Sequence, residues 1–338
     1  MNSSTLIACV CLLGLACPPV KGDVFLVSNA ANNNIEQFTE EGVGSLFIDS
    51  GIALQKGLAF DRFGNLFLSS QTSNLIFKIS PGGTQSLFAS VGMNSPRGMA
   101  FDVQGNLYVG NNGNNTIWRY TTNGIGSLFG TTTGGAPWGL AFDEQGNLFV
   151  STFNGNTIEK FIPSGNGSTF ATAAAGISSP QGVAFDSSGN LYVANYGNNT
   201  IQKFTPNGVP SLFANSLLSG PQGLAFDSGG NLYVVNRNSN TVVRCSPDGT
   251  PSTFASSGLA TPVAIVIEQD AILTATPTGN NLLISWSTSA VGFTLQSTAD
   301  VKAPARWIDL SDSPAIVGAM FVVTNSLNSA NVFHRLKR

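Results

Sequence analysis

The sequence predicts an all-β chain: a six-bladed β-propeller of four-stranded blades, its N- and C-terminal segments sharing one blade, followed by a small β-sandwich. Three observations carry this reading. The string Ala-Phe-Asp-x-x-Gly-Asn-Leu, or a close variant, recurs with its Phe at Phe60, Phe101, Phe142, Phe185 and Phe226, at spacings of 41, 41, 43 and 41, and a period of that length marks an array of supersecondary units. Two kinds of strand each occur six times, offset by one. The composition fits: 38 Gly, 23 Phe and 10% charged residues among 338, against about 25% charged in an ordinary domain, describe a turn-rich, aromatic-cored β protein.

Each piece of the repeat has a local cause. Gly-Leu-Ala-Phe is a short apolar run without alternation, as in a strand covered on both faces. In Asp-x-x-Gly-Asn the Asp accepts its own downstream amide and the Gly takes positive φ, which makes a tight hairpin. Leu-Tyr-Val-Ala-Asn alternates with period 2 and so reads as a second strand. Gly-Asn-Asn is the next turn, Thr-Ile-Gln-Lys-Phe a third strand, Pro-Asn-Gly a third turn, and Ser-Leu-Phe-Ala a short fourth strand. Four antiparallel strands in about 42 residues form one propeller blade.

The ends fix the count. The first strand type occurs at Gly57, Gly98, Gly139, Gly182 and Gly223 and, degenerately, in Pro262-Val-Ala-Ile-Val-Ile-Glu268; the second begins at Val24, Leu66, Leu107, Leu148, Leu191 and Leu232. The chain after residue 22 therefore starts at the second strand of a blade whose innermost strand comes from 262–268. Val24–Val27 must pair with Val263–Ile267, which closes the ring and removes open edges. The propeller is expected over 23–268. From about residue 269 the period is lost. Leu273-Thr-Ala-Thr, Leu282–Trp286, Phe293-Thr-Leu-Gln, Arg306–Leu310, Phe321-Val-Val-Thr and Val332–Leu336 are six strand candidates that suit a small β-sandwich over 269–338.

Residues 6–16 form an apolar stretch that fits the core of a secretory signal and is too short for a membrane span. A cut before Asp23 makes 1–22 a signal peptide and the protein secreted, extracellular or periplasmic. A lipid anchor at Cys17 is the rival. Cys9, Cys11 and Cys17 lie in this segment, so processing before Asp23 leaves Cys245 alone and the fold needs no intrachain disulfide.

Pro180-Gln-Gly-Val-Ala-Phe-Asp186, Gly189-Asn-Leu-Tyr-Val193 and Asn199-Thr-Ile-Gln-Lys-Phe204, with their copies over 23–268, resemble the NHL-repeat propellers, including those grouped with streptogramin lyases and with the gluconolactonase type. The Ile-Ser-Trp, Phe-Thr-Leu-Gln-Ser, Trp-Ile-Asp-Leu and Phe-His-Arg-Leu progression in the tail looks like the fibronectin-III-like modules at the C-termini of secreted bacterial proteins. There such a module serves attachment, spacing or sorting. A fold of this kind hosts enzymes, receptors and scaffolds alike, so function must come from the site.

The loops leading into the first strand and those joining the second strand to the third open on one face; the Asp-x-x-Gly-Asn hairpins lie on the other. The residue just before the first-strand Gly reads, blade by blade, Lys56, Arg97, Trp138, Gln181, Gln222 and Val263. Neighbouring loops add Asn111, Asn112, Phe153, Asn154, Asn195, Tyr196, Asn236 and Arg237. Lys56, Arg97, Trp138, Gln181 and Gln222 are the candidate ligand-binding rim. Two cations, an aromatic and two amides suit a glycan or an acidic group. The alternative is that these loop positions drift and solvate.

The repeated Asp61, Asp102, Asp143, Asp186 and Asp227 are expected to cap turns rather than bind metal. The repeated cations Lys78, Arg119, Lys160, Lys203 and Arg244 are expected to lay their stems over apolar neighbours. Cys245 stands where other blades have Phe161 and Phe204 and is expected in the core. His334, in a terminal strand, is read as a surface or packing residue.

A net charge of −3 argues against nucleic acid and anionic membrane as partners. Catalysis meets a shortage of material. The streptogramin-lyase resemblance implies His residues in the propeller, and 23–268 contain none. The gluconolactonase resemblance implies a Glu and companions holding a divalent ion at the channel mouth, and no rim position is acidic. No cofactor or metal is expected. The leading expectation is a secreted, non-catalytic propeller for an extracellular protein, peptide or glycan, with a C-terminal attachment module. A propeller hydrolase or lyase, possibly metal-assisted, is the alternative.

Overall fold

The computed structural model describes residues 23–268 and, beyond them, seven strands between Thr274 and Lys337. The expected signal segment, with Cys9, Cys11 and Cys17, lies outside the described residues. Val24–Glu268 form one compact unit. It consists of six four-stranded antiparallel sheets, each a blade in which chain order runs from the axis outward. Blade 1 is the exception: its inner strand is Pro262–Glu268, and its outer three are Val24–Asn29, Asn34–Phe38 and Gly44–Asp49. The registers Val24↔Glu268, Phe25↔Ile267, Leu26↔Val266 and Val27↔Ile265 close the ring as the strand counts require.

Burial follows position in the blade. The second strands, such as Leu66–Ser70 and Leu191–Asn195, are buried at every residue, because both faces meet a neighbouring blade. This corrects the expectation from the repeat: the strand covered on both faces is the second, whose polar residues are buried too, whereas first strands such as Pro96–Phe101 are only partly buried. The outer strands, such as Gln85–Ala89, are largely exposed.

The blades are held to one another by aromatic trios. Phe67 meets Phe88 of its own blade and Phe101 of the next edge-on, with ring centroids 4.9 and 5.0 Å apart. Tyr108, Phe149 and Tyr192 repeat the arrangement with Phe129 and Phe142, Phe170 and Phe185, and Phe213 and Phe226. Edge-to-face pairs of this kind add about 0.5–1.5 kcal/mol each beyond their burial. At the closure the inner strand carries Ile267 where the others carry Phe. Its cross-strand partner Phe25 supplies the ring instead, 4.5 Å from Tyr233. The degenerate sixth copy thus keeps the trio by moving the aromatic to the paired strand.

The hairpins on one face behave as their sequence implies. In all five copies the Asp Oδ1 accepts the Asn amide four residues on, at 2.7–2.9 Å, and its Oδ2 accepts that Asn's Nδ2 at 2.7–2.8 Å. The third-strand cations lie in register opposite the second-strand aromatics: Phe67↔Lys78, Phe149↔Lys160 and Tyr192↔Lys203. Their ammonium groups sit 5.1–5.8 Å from those ring centroids. Cys245 is fully buried, and burial pushes its thiol up to about 11, as a core residue requires.

Among the described residues of the C-terminal segment, Thr274–Thr278, Asn281–Ser287, Met320–Ser326 and Ala315–Val317 form one antiparallel sheet. Ile308–Asp309, Thr294–Thr298 and Phe333–Lys337 form another. Ala315–Val317 is a strand the sequence did not announce, being three residues long with no alternation. His334 is paired in backbone register with Ser297; the expectation for its side chain lies outside what is described. No helix of the described residues is long and apolar enough to cross a membrane.

Candidate binding site at the channel mouth

The inner strands reach the axis because each carries a glycine where it meets the next. A Cβ on Gly57 would lie 2.1 Å from the carbonyl oxygen of Arg97, one on Gly98 2.1 Å from that of Trp138, and one on Gly182 2.1 Å from that of Gln222. No side chain fits at such distances, so the repeated Gly is what allows adjacent inner strands to touch backbone to backbone. Second-strand serines fix carbonyls at this position: Ser69 donates to the Arg97 oxygen at 2.6 Å, and Ser151 donates to that of Gln181, which faces Gly139. The residue before each glycine is thereby delivered to a common level around the axis.

These inner strands enclose a cavity of about 80 Å³ whose wall includes Lys56, Trp138, Gln222 and Val263. The Arg97 guanidinium lies 3.5 Å from the centre of the Trp138 ring. The aromatic surface continues outward through Phe153, 5.6 Å from Trp138, to Tyr196, 6.4 Å further on. Lys56, Gln181 and Gln222 are buried, at 9%, 1% and 1% exposure. They are therefore not the exposed rim the sequence suggested: packing of six inner strands draws the position inward.

The electrostatics are one-sided. Burial, then the charges of Arg97 and Arg237, bring the Lys56 ammonium down to about 8. Burial and then Arg237 bring the Arg97 guanidinium down to about 10. Arg237, from the loop between second and third strands of blade 6, is thus the third cation of the site. Arg97 Nε and Nη1 are buried without a hydrogen-bond partner, as are the Oε1 atoms of Gln181 and Gln222. Buried polar groups ordinarily find partners, so these positions hold donors and acceptors that no described residue satisfies.

Three of the neighbouring loop candidates are not available to a ligand. Asn111, Asn195 and Asn236 are fully buried and bind the loop that leads into their own blade. The Oδ1 of Asn195 accepts the Ser178 amide at 3.0 Å and its Nδ2 donates to the Gly176 carbonyl at 2.9 Å; Asn111 and Asn236 do the same. A strand-ending Asn and a loop-tip Asn look alike in sequence, and only burial separates them.

A divalent ion does not fit this mouth. No carboxylate lines the cavity, and the charges acting on Lys56 and Arg97 are cationic. Among the described residues no group of three or more His, Cys, Asp or Glu could hold a metal.

Fold and site together define a closed six-bladed propeller with a cationic, aromatic-floored channel mouth. The chain belongs to the Virginiamycin B lyase family, which it matches over residues 45–297. Solved structures share the fold at low identity. A chain of a nidogen/laminin complex is 21% identical, with a TM-score of 0.66 over 73% of this chain and 98% of that one. A catalytically inactive histidine-to-alanine variant of virginiamycin B lyase from Staphylococcus aureus, with quinupristin, is 16% identical, with a TM-score of 0.54 over 94% and 99%. A gluconolactonase from Xanthomonas campestris is 18% identical, with a TM-score of 0.52 over 81% and 96%. No curated protein matches the sequence.

Proposed function

We propose that this protein is a secreted, non-catalytic binding propeller that holds a protein, peptide or glycan ligand at its channel mouth. Residues 1–22 then act as a signal peptide, and 269–338 form a fibronectin-III-like sandwich for attachment. The observation that carries the reading is the convergence of Lys56, Trp138 and Gln222 on one cavity, with Arg97 over Trp138 and with polar atoms of Arg97, Gln181 and Gln222 buried and unpartnered among the described residues. The nidogen/laminin complex, a propeller relative with a protein partner, supports the use of this fold for binding.

The test uses the full chain. Panning against peptide and glycan libraries should return ligands that the double variant Arg97→Ala/Trp138→Ala no longer holds. The melting temperature of that variant should stay close to that of the parent. Ligands retained by the variant would remove the reading.

Family membership carries a second reading, a lyase or hydrolase at the same mouth. Against it, the solved lyase variant is described as inactive after loss of a histidine, whereas the one His here, His334, lies outside the matched residues 45–297. Incubation with quinupristin, followed by mass spectrometry, separates the two: an opened or hydrolysed product would establish the enzyme.

A further inference from the structure

We propose that the channel mouth is a carboxylate-binding site, formed by Lys56, Arg97 and Arg237, with Arg97 over the face of Trp138. This rests on the reading that the mouth is the ligand-binding face, and it names the chemistry that the face selects. The three cations come from blades 2, 3 and 6, far apart in sequence: Lys56 and Trp138 line the cavity, whose described wall holds no acidic residue, Arg97 lies over Trp138, and the charge of Arg237 acts on both Lys56 and Arg97. Like charges held together in a half-buried site repel one another, and an anion that enters relieves all three at once.

Arg97 is set up for this. Its guanidinium lies over the Trp138 ring, 3.5 Å from the ring centre, which holds it against the aromatic face. Nε and Nη1 have no acceptor among the described residues. Such donors require oxygen, and charge-assisted bonds to a carboxylate are the stronger kind. The cavity that Lys56, Trp138 and Gln222 line beside Arg97, about 80 Å³, admits one small group rather than a chain of sugar rings. Gln181 and Gln222 add buried acceptor oxygens without donors. A free acid has few N–H groups to offer them. A peptide backbone beside an acidic side chain has several, so the site favours a carboxylate carried on a peptide.

The experiment follows the indole N–H resonance of Trp138 in the full chain, assigned by Trp138→Phe among the four tryptophans. Three probes are titrated: glutarate, the peptide Ac-Gly-Glu-Gly-NH2, and its neutral counterpart Ac-Gly-Gln-Gly-NH2. The acidic peptide should shift the resonance with an affinity roughly 10-fold or more above the neutral one, the ratio expected for a charge-assisted bond. Added salt, Arg97→Gln or Arg237→Gln should erase that ratio, with unfolding curves confirming that each variant is folded. Tighter binding of the peptide than of glutarate assigns the carboxylate to a peptide; the reverse order assigns it to a free acid. Equal shifts by the acidic and neutral peptides would overturn the carboxylate inference while leaving the mouth as a binding face. No shift of Trp138 with any probe would overturn it as well. The library ligands of the preceding section, tested on Arg97→Ala/Trp138→Ala, decide the binding reading separately.

Discussion

The Oδ1 of Asn240, in blade 6, accepts the backbone amide of Thr261 at 2.7 Å, just where the chain turns into the inner strand of blade 1. The same bond recurs at every blade junction. Asn33, Asn74, Asn115, Asn156 and Asn199 receive the amides of Leu54, Ser95, Ala136, Ser179 and Gly220 at 2.6–3.0 Å. All six asparagines have φ between 52° and 62°, a left-handed conformation that Asn tolerates better than most residues. One residue type thus meets a backbone need and ties each blade to the next. Asn199→Ala should lose about 1–3 kcal/mol, combining a lost hydrogen bond with left-handed strain. Asn199→Gly should lose less, because only the bond goes. Urea unfolding, with midpoints compared at constant slope, separates the two.

Gly98→Ala tests the contact that builds the channel. Its Cβ would meet the Trp138 carbonyl oxygen at 2.1 Å, a backbone atom that cannot swing aside. Overpacking of this kind costs about 1–3 kcal/mol, and here the displaced residue is the floor of the site. The variant should unfold at lower urea and also show a shifted Trp138 indole resonance. The exposed Gly82, whose added Cβ meets nothing nearer than 3.8 Å, provides the control: Gly82→Ala should change stability little.

Lys56 makes stability depend on pH in an unusual direction. Its folded-state value, about 8, lies below the ordinary 10.5. Between these values the unfolded chain binds the proton and the folded chain does not. The Lys56 contribution to stability is therefore level below pH 8 and rises as pH climbs toward 10.5. Melting temperatures of the parent and of Lys56→Met, measured without ligand from pH 7 to 10.5, should diverge in the parent's favour as pH increases. A constant difference would show that Lys56 is not buried among cations as described.

Asp186→Ala should cost about 0.5–2 kcal/mol, by analogy with loss of a helix cap. Its carboxylate accepts two backbone amides, those of Ser188 and Asn190, at 2.9 Å, with further bonds from the Asn190 amide group and the Tyr192 hydroxyl. Added calcium or magnesium should leave the unfolding midpoint of the parent unchanged. Stabilisation by either ion that Asp186→Ala abolishes would assign this hairpin to metal after all.

The blade count, the closure and the role of the repeated Asp were legible because they depend on local periodicity and on turn chemistry, which sequence carries directly. The level of the candidate residues around the axis was legible too, since they share one offset from a repeated Gly. Their depth was not. Whether Lys56 or Gln181 reaches solvent is set by the approach of the next blade's backbone, some 40 residues away in sequence. For the same reason the separate duties of Asn195 and Asn199 were hidden: one ends a buried strand and the other sits in the turn that follows, and the string Asn-Tyr-Gly-Asn-Asn does not say which bonds each will make. Arg237 was visible only as one loop residue among eight. Its membership of the site comes from ring closure, which places blade 6 across from blades 2 and 3.

The pairing of Val24 with Glu268 has a mechanical consequence. The chain comes into the propeller and leaves it at facing residues of one antiparallel strand pair. A pull applied through handles attached at residues 23 and 269 therefore loads that pair at its end, and its hydrogen bonds break one after another, as a zipper opens. Five blades are continuous in the chain and feel none of this load until blade 1 has parted. Tethered at both points, the ring should yield at low force and in two stages, the first releasing only the strand from 262 to 268. Held at one of these two points alone, the seam carries no load and the ring stays closed.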